Sequence, residues 1–290
     1  MKKKVFRWVK VLALLYGLIG IAFYYLQDTL LFHPVAVNRE VAYQFDQPFT
    51  EVNLPYNKET NLNIVQFRVT AGWPKHVDTA HTDVVSGRND STGAGAKGVV
   101  LYFHGNKRNV TWYARHAADF TSRGYEVWML DYPGFGKSTG PSSEKLLYAY
   151  ALQVYKLARS RYQPSQIIIY GKSLGSGIAA QLASVRNCRR LILESPYYSL
   201  TALVRHYMPV YPVSAMLHYH FPTNEFLPAV TDPVTIFHGT DDGLIPFSQS
   251  ERLKVFLKPG DRLVPIEGGS HNGIAAFPAF QRELDTVLNQ

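Results

Sequence analysis

Two stretches of the chain, GKSTG at 136–140 and GKSLG at 171–175, satisfy the pattern G-x-S-x-G. A serine hydroxyl is a poor nucleophile unless a strand delivers it into a strained turn, a helix begins directly after it and a base lies beside it. QIIIYGKSLGSGIAAQLA meets each local requirement: an apolar run, Gly171, Ser173 and Gly175, then the small residues Gly177, Ala179 and Ala180 of a packed helix. In DYPGFGKSTGPSSEKLL the strand ends at Tyr132, Pro133 and Gly134 turn the chain, and Ser142 or Ser143 is placed to cap the next helix. Ser173 is therefore the candidate nucleophile, and GKSTG, with Ser138, reads as a glycine-rich rim loop. Both copies also end like a phosphate-binding loop, but its first glycine would fall on Gln166 or Asp131. Without that glycine the backbone cannot wrap a phosphate, which argues against a nucleotidase.

A nucleophilic serine needs a general base, an acid to orient that base and two donors for an oxyanion. On a sheet of this type the order along the chain is serine, acid, histidine. Of the ten histidines only His271 follows the last expected strand, in the glycine-rich loop EGGSHNG. His238 ends a strand and is expected to pack or bond locally, while His206, His218 and His220 lie where they could touch a substrate. HGTDDGLIP offers Asp241 and Asp242 as the acid, which spacing alone does not separate; Glu194 is a less favourable substitute. The N–H of Leu174, at a helix start, supplies one oxyanion donor. Asn106, after LYFHG, supplies the other, with His104 and Gly105 shaping the turn.

These residues require elements that hold them at one edge of a sheet. Short apolar runs at 98–105, 126–132, 166–172, 189–195, 234–240 and 262–268 alternate with helical segments near 109–123, 143–161, 174–186, 247–257 and 275–288. That alternation predicts a parallel sheet covered by helices on both faces, with the chemistry at the strands' carboxyl ends. Residues 51–70 read as a hairpin leading into the domain. The polar, Gly- and Ser-rich stretch at 71–97 reads as a flexible surface insertion, and its His76, Asp78 and His81 as solvated side chains. No metal or cofactor is expected. The interval between Ser195 and Val234 is too long for an ordinary crossover and is rich in Tyr, Phe, Pro and His, so 196–232 is a candidate lid.

The 290 residues, 46% of them hydrophobic and 13% aromatic, suffice for a large core. Lys2, Lys3, Lys4, Arg7 and Lys10 supply five charges of the formal +8, so the excess is concentrated in a basic head and argues against nucleic-acid binding. Next come sixteen uncharged residues, Val11–Leu26, about 24 Å of helix that flanking apolar residues extend. No small-x-small cleavage site follows, and Cys188, the sole cysteine, lies far from the N-terminus. The expected organisation is a basic head at 1–10, an uncleaved transmembrane anchor at 11–32 and a catalytic domain at 40–290. The charge asymmetry puts the N-terminus in the cytoplasm and the domain outside it, in the periplasm if the source is Gram-negative. Asn89-Asp-Ser and Asn109-Val-Thr match the glycosylation pattern, but a glycan on Asn109 would obstruct the site.

LYFHGNKRN, DYPGFGKSTGPSSE, YGKSLGSG, ESPYYSL, HGTDDGLIPFSQ and GGSHNG, in this order, resemble the α/β-hydrolase fold and, more narrowly, its Bem46-like branch of membrane-anchored serine hydrolases. LQDTLLFHP resembles the short stretch that follows the anchor in that branch. The resemblance selects Asp242 over Asp241, through the pattern H-G-x-x-D-x-x-[VI]-P. It implies a triad of Ser173, Asp242 and His271 with an oxyanion hole at Asn106 and Leu174. The activity implied is cleavage of a carboxylic ester or thioester, with a small-molecule or lipid-like acyl substrate. The chain departs from the family in having Lys107 and Arg108 after HGN. Lys107, Tyr197 and Tyr198 are the candidate substrate-contacting residues. Acyl transfer or amide cleavage by the same triad, and a non-catalytic tethered binding protein, are the alternatives.

Overall fold

A computed structural model describes residues 2–69 and 95–290 of the chain. The expected insertion at 71–97 lies outside the described residues except for its last three positions, and so do His76, Asp78, His81 and Asn89. Eight strands form one sheet: β1 (Phe49–Pro55), β2 (Asn61–Phe67), β3 (Gly98–Phe103), β4 (Tyr125–Leu130), β5 (Ile167–Lys172), β6 (Arg190–Glu194), β7 (Val234–Gly239) and β8 (Arg262–Ile266). Their spatial order is β8-β7-β6-β5-β3-β4-β2-β1. β2 is antiparallel to both neighbours, and β3 to β8 are parallel.

Every residue of β3 to β7 is buried, which explains why these strands read as unbroken apolar runs. Alternate residues serve opposite faces. Leu101, Ile169, Leu191 and Ile236 pack under the helices α2 (Glu144–Arg159) and α3 (Leu174–Val185), whereas Val100, Ile168, Ile192 and Phe237 face α6 (Pro278–Asn289). α2 buries Leu147, Tyr150, Ala151, Val154 and Ala158, the spacing of a helical stripe, and Ser143 caps it by accepting from the Leu146 N–H. The helix expected at 109–123 is broken into the short turns Val110–Tyr113, Ala114–His116 and Ala118–Thr121. Its backbone bonds tighten to i+3 where Ala117 and Phe120 donate, to Ala114 and Ala117 respectively.

α1 (Lys2–Leu31) is one continuous helix of about 45 Å, so the basic head is its first turns and not a separate unit. Among the described residues it is the one helix long and apolar enough to cross a membrane. Its second half lies along the 196–232 excursion. Phe23 is buried against Val213 and Leu217, Tyr16 stacks on Tyr211 at 4.5 Å, and Gln27 bonds to Met216 O (3.0 Å) and the His218 N–H (2.7 Å). The excursion contains α4 (Leu200–Tyr207), followed by short turns at Val213–Met216 and Thr223–Phe226. The remaining labelled helix, α5 (Ser248–Leu253), follows β7.

Candidate active site

β5 runs straight into Ser173, and α3 starts at the next residue. Ser173 has φ 53° and ψ −118°, a backbone conformation that costs on the order of 1–3 kcal/mol and persists only where its surroundings enforce it. The enforcement is visible on both sides. Ser173 N–H donates to Glu194 O at 2.9 Å, and Ser173 O accepts from the N–H (2.9 Å) and the hydroxyl (2.6 Å) of Ser176. The flanking glycines are dictated by space: a Cβ on Gly171 would lie 2.4 Å from Gly175 O, and one on Gly175 would lie 2.0 Å from Phe103 O. The elbow thus sits at the carboxyl edge of the sheet where strand order reverses between β3 and β5, the crevice in which open α/β sheets bind ligands.

The loops after β7 and β8 bring two further side chains to this point. His271 Nε2 lies 3.0 Å from Ser173 Oγ, and His271 Nδ1 lies 2.7 Å from Asp242 Oδ2. Asp242 Oδ1 accepts from the N–H groups of Leu244 (2.9 Å) and Ile245 (2.8 Å), and His238 Nε2 stands 3.3 Å from Oδ2. Burial would raise the Asp242 carboxyl. Hydrogen bonds from His238 and His271, the charge of His271 and the Ile245 N–H outweigh burial and hold it well below the usual carboxylate range. An ionised carboxylate only accepts, so the proton of neutral His271 resides on Nδ1 and the Nε2 lone pair faces the serine hydroxyl. Asp241 is exposed, and its N–H donates to Gly269 O.

The N–H groups of Leu174 and Asn106 make no hydrogen bond among the described residues. Asn106 is held from outside the sheet: its side-chain amide donates to Leu31 O at the end of α1, and its carbonyl accepts from the His33 N–H at 2.8 Å. His33 and Pro34 pair in parallel with Lys107 and Arg108, and Asn109 Nδ2 donates to Val35 O at 2.8 Å. Beneath this loop His104 is fully buried. Its Nδ1 lies 2.7 Å from Gly105 O, its Nε2 lies 3.3 Å from Asp131 Oδ1, and its ring stacks on Tyr113 at 4.9 Å. The Tyr113 hydroxyl faces the backbone N–H groups of Gly105 and Lys107. Asn109 is 2% exposed and caps the following turn, so its side chain is not available to a glycan.

Several expected residues are placed elsewhere. Tyr197, expected to touch substrate, is 1% exposed and donates its hydroxyl to Leu174 O at 2.9 Å, so it braces the first turn of α3 from behind. Tyr198 is directed to the other side, with the Arg252 guanidinium 3.8 Å from its ring centroid and Phe256 beyond. Tyr197 is corrected to a packing role by its burial against α3, while Tyr198 stays half-exposed. Lys107 is exposed, while Arg108 adopts φ 64° and lays its guanidinium over Trp112. His218 meets Tyr24, His220 bonds to Thr201, and His206 lies against Tyr207. Ser138 is 4% exposed, with its hydroxyl donating to Asp131 O (2.6 Å) and accepting from the Asn63 N–H (2.8 Å). Glu194 pairs with Lys172 and Tyr170 rather than with His271.

Two contributors had no signal strong enough to be found in the sequence. Lys172, the variable residue inside GKSLG, is buried and ion-pairs with Glu194, and its ammonium also lies 3.3 Å from His271 O. Burial would raise Glu194, yet the Lys172 charge and the hydrogen bonds from Lys172 and Tyr170 keep it lowered. His238 is the second: it bonds locally, as expected, to Ser250 Oγ (2.6 Å) and Ile245 O (2.8 Å), but it also contacts Asp242, which the sequence did not announce.

A family model described as Serine aminopeptidase, S33 (Hydrolase_4) matches residues 94–228, a span that contains Ser173 and ends before Asp242. An uncharacterized protein of Mycobacterium tuberculosis strain H37Rv is 32% identical over 183 residues, 62% of this chain and 65% of that protein. Alpha/beta hydrolase domain-containing protein 17C of Homo sapiens is 32% identical over 198 residues, 66% of this chain and 57% of that protein. The chain thus spans less than two thirds of these relatives' length. Among solved structures, the Pyrococcus furiosus esterase Pf2001 superposes with a TM-score of 0.62 at 16% identity, covering 89% of this chain and 97% of that one. An alpha-beta hydrolase from Vibrio vulnificus gives a TM-score of 0.60 at 20% identity, covering 83% and 79%. The structural likenesses establish the fold, and the sequence relatives fit the Bem46-like resemblance. With an eight-stranded sheet, a strained serine elbow and these structural likenesses, the chain has the α/β-hydrolase fold.

Proposed function

We propose that the chain is a serine hydrolase that cleaves carboxylic esters or thioesters through an acyl-enzyme on Ser173. The observation that carries this reading is the line from Ser173 Oγ through His271 to an ionised Asp242, at 3.0 and 2.7 Å. Ser173 Oγ attacks the substrate carbonyl carbon as His271 Nε2 takes its proton. The tetrahedral oxyanion accepts from the N–H groups of Leu174 and Asn106. Collapse expels the alcohol or thiol, which takes the proton from His271, and a water activated by the same nitrogen then releases the acid. Asp242 stays ionised throughout and stabilises the imidazolium.

The proposed organisation is an anchor in α1, a hydrolase domain at 40–290 and a lid at 196–232. The positive residues Lys2 to Lys10 favour a cytoplasmic N-terminus and a domain on the opposite side of the membrane. Amide cleavage is the second reading, favoured by the aminopeptidase description of the matching family model.

A fluorophosphonate probe tests the first step. Labelling of the intact chain that is lost in Ser173→Ala and kept in Ser138→Ala supports the proposal. An unlabelled intact chain sinks it in favour of a tethered binding protein. Turnover of p-nitrophenyl esters, acyl thioesters and amino-acyl amides then separates the two hydrolytic readings.

A further inference from the structure

A groove of about 400 Å³ separates α1 from the 196–232 excursion, walled by Tyr16, Gly17, Gly20, Tyr24, Tyr211 and Met216. Two of its wall hydroxyls are taken up by backbone carbonyls. Tyr16 donates its hydroxyl to Val210 O, and Tyr211 donates its own to Tyr16 O, each at 3.0 Å. Most of the excursion's N–H groups are paired within it over the same stretch. Pro209 and Pro212 carry no N–H, and the N–H groups of Met208, Tyr211, Val213, Ala215 and Leu217 bond to carbonyls two to four positions back along the excursion, at Val204, Met208, Tyr211, Pro212 and Val213 respectively. Residues 207–217 contain no Lys, Arg, Asp or Glu. Tyr207 and Val210 are nevertheless exposed, at 54% and 70%.

These contacts fix the depth of the excursion. Its bonds to α1 run from Tyr16 to Gln27, and the uncharged run of α1 is Val11–Leu26. The shared part, residues 16–26, is about 15 Å along the helix axis, half of a hydrocarbon core of about 30 Å. If α1 crosses the bilayer, the tip of the excursion goes in beside it, and a backbone that pairs most of its own N–H groups tolerates a position next to the protein. We infer that residues 207–217 insert into the membrane next to α1, and that the groove between them holds an acyl chain of a bilayer phospholipid. The inference rests on α1 as the anchor and makes no use of the triad. Tyr207 links the inserted tip to the site, because its hydroxyl donates to Leu244 O at 2.8 Å, two residues from Asp242.

The full chain, carrying Ser173→Ala so that no turnover intervenes, is reconstituted in phosphatidylcholine vesicles doped with a phosphatidylcholine bearing a diazirine in its acyl chain. Irradiation followed by peptide mapping is expected to place adducts on 207–217 as well as on α1, and Gly17→Phe, which fills the groove, is expected to remove most adducts at Tyr211 and Met216. In a Cys188→Ser background, a spin label at Val210→Cys is expected to meet dissolved oxygen more readily than an aqueous nickel chelate, with the opposite order at Val255→Cys. Adducts confined to α1, or nickel access at position 210 equal to that at 255, overturn the inference. Because none of these readings depends on activity, failure of the hydrolase proposal leaves its own signature in the fluorophosphonate experiment.

Discussion

An ionised Asp242 allows only one tautomer of His271, and replacing it by Asn removes that constraint while keeping the shape of the side chain. Asp242→Asn is expected to lower kcat on an ester by about 10⁴-fold with little change in KM, measured by steady-state kinetics. The same residue has a stability signature. Its folded pKa lies below the unfolded value, so its contribution is complete above about pH 4 and is lost as pH falls through the lower folded value. Urea unfolding at pH 7 and pH 3 is therefore expected to show a smaller cost of Asp242→Asn in acid. Lys172 offers a second test at this scale. Lys172→Met leaves Glu194 buried without its cation and is expected to cost about 3–5 kcal/mol, most of it recovered in Lys172→Met/Glu194→Gln. Because Lys172 also holds His271 O, kcat of the stabilised double variant is expected to stay below that of the parent, a loss that a purely structural pair would not produce.

The elements that carry the site differ in how far local sequence dictates them. The elbow is dictated closely: β5, Ser173 and α3 are consecutive, and the space for a Cβ at Gly175 is absent because Phe103 O lies there. Gly175→Ala is expected to push β3 from β5 and yield little soluble folded protein, read by size-exclusion chromatography and circular dichroism. The strands were legible because burial on both faces makes each an apolar run, and α2 was legible from its apolar stripe and its Ser143 cap. The 109–123 segment was not, because its start is fixed by tertiary contacts rather than by a local pattern. Asn109 is tied to Val35 O, and the Val110 N–H is tied to Asp131 Oδ1 at 2.8 Å. GKSTG shows the same dependence. Its serine is consumed by β2 and Asp131, partners that no pattern within the loop announces.

Across the whole molecule, α1 is coupled to the proposed oxyanion hole as well as to the 196–232 excursion. Leu31 O and the His33 N–H grip Asn106 from two sides, and Val213 and Leu217 bury against Phe23. Deleting residues 1–34 is expected to leave the contact between Ser173 and His271 in place and to loosen Asn106. Fluorophosphonate labelling would persist at a reduced rate, and kcat would fall by up to about 10²–10³-fold, the range expected for one oxyanion donor. A truncated chain with undiminished kcat in detergent would show that Asn106 is held without the anchor.

What the sequence determined by itself was the set of local arrangements. A serine between a strand and a helix, with glycines where no Cβ fits, is written in consecutive residues, as are the apolar strands and the long N-terminal helix. The choice of Asp242 over Asp241 came from family resemblance, since adjacent aspartates look alike to any spacing argument. Tertiary structure alone decided that Tyr197 braces α3, that Lys172 ties the serine strand to the histidine loop, and that α1 lies against the excursion and grips Asn106. Those outcomes depend on which surfaces meet after the sheet has formed, among residues about 20 to 200 apart in sequence, where neither periodicity nor a motif constrains the pairing.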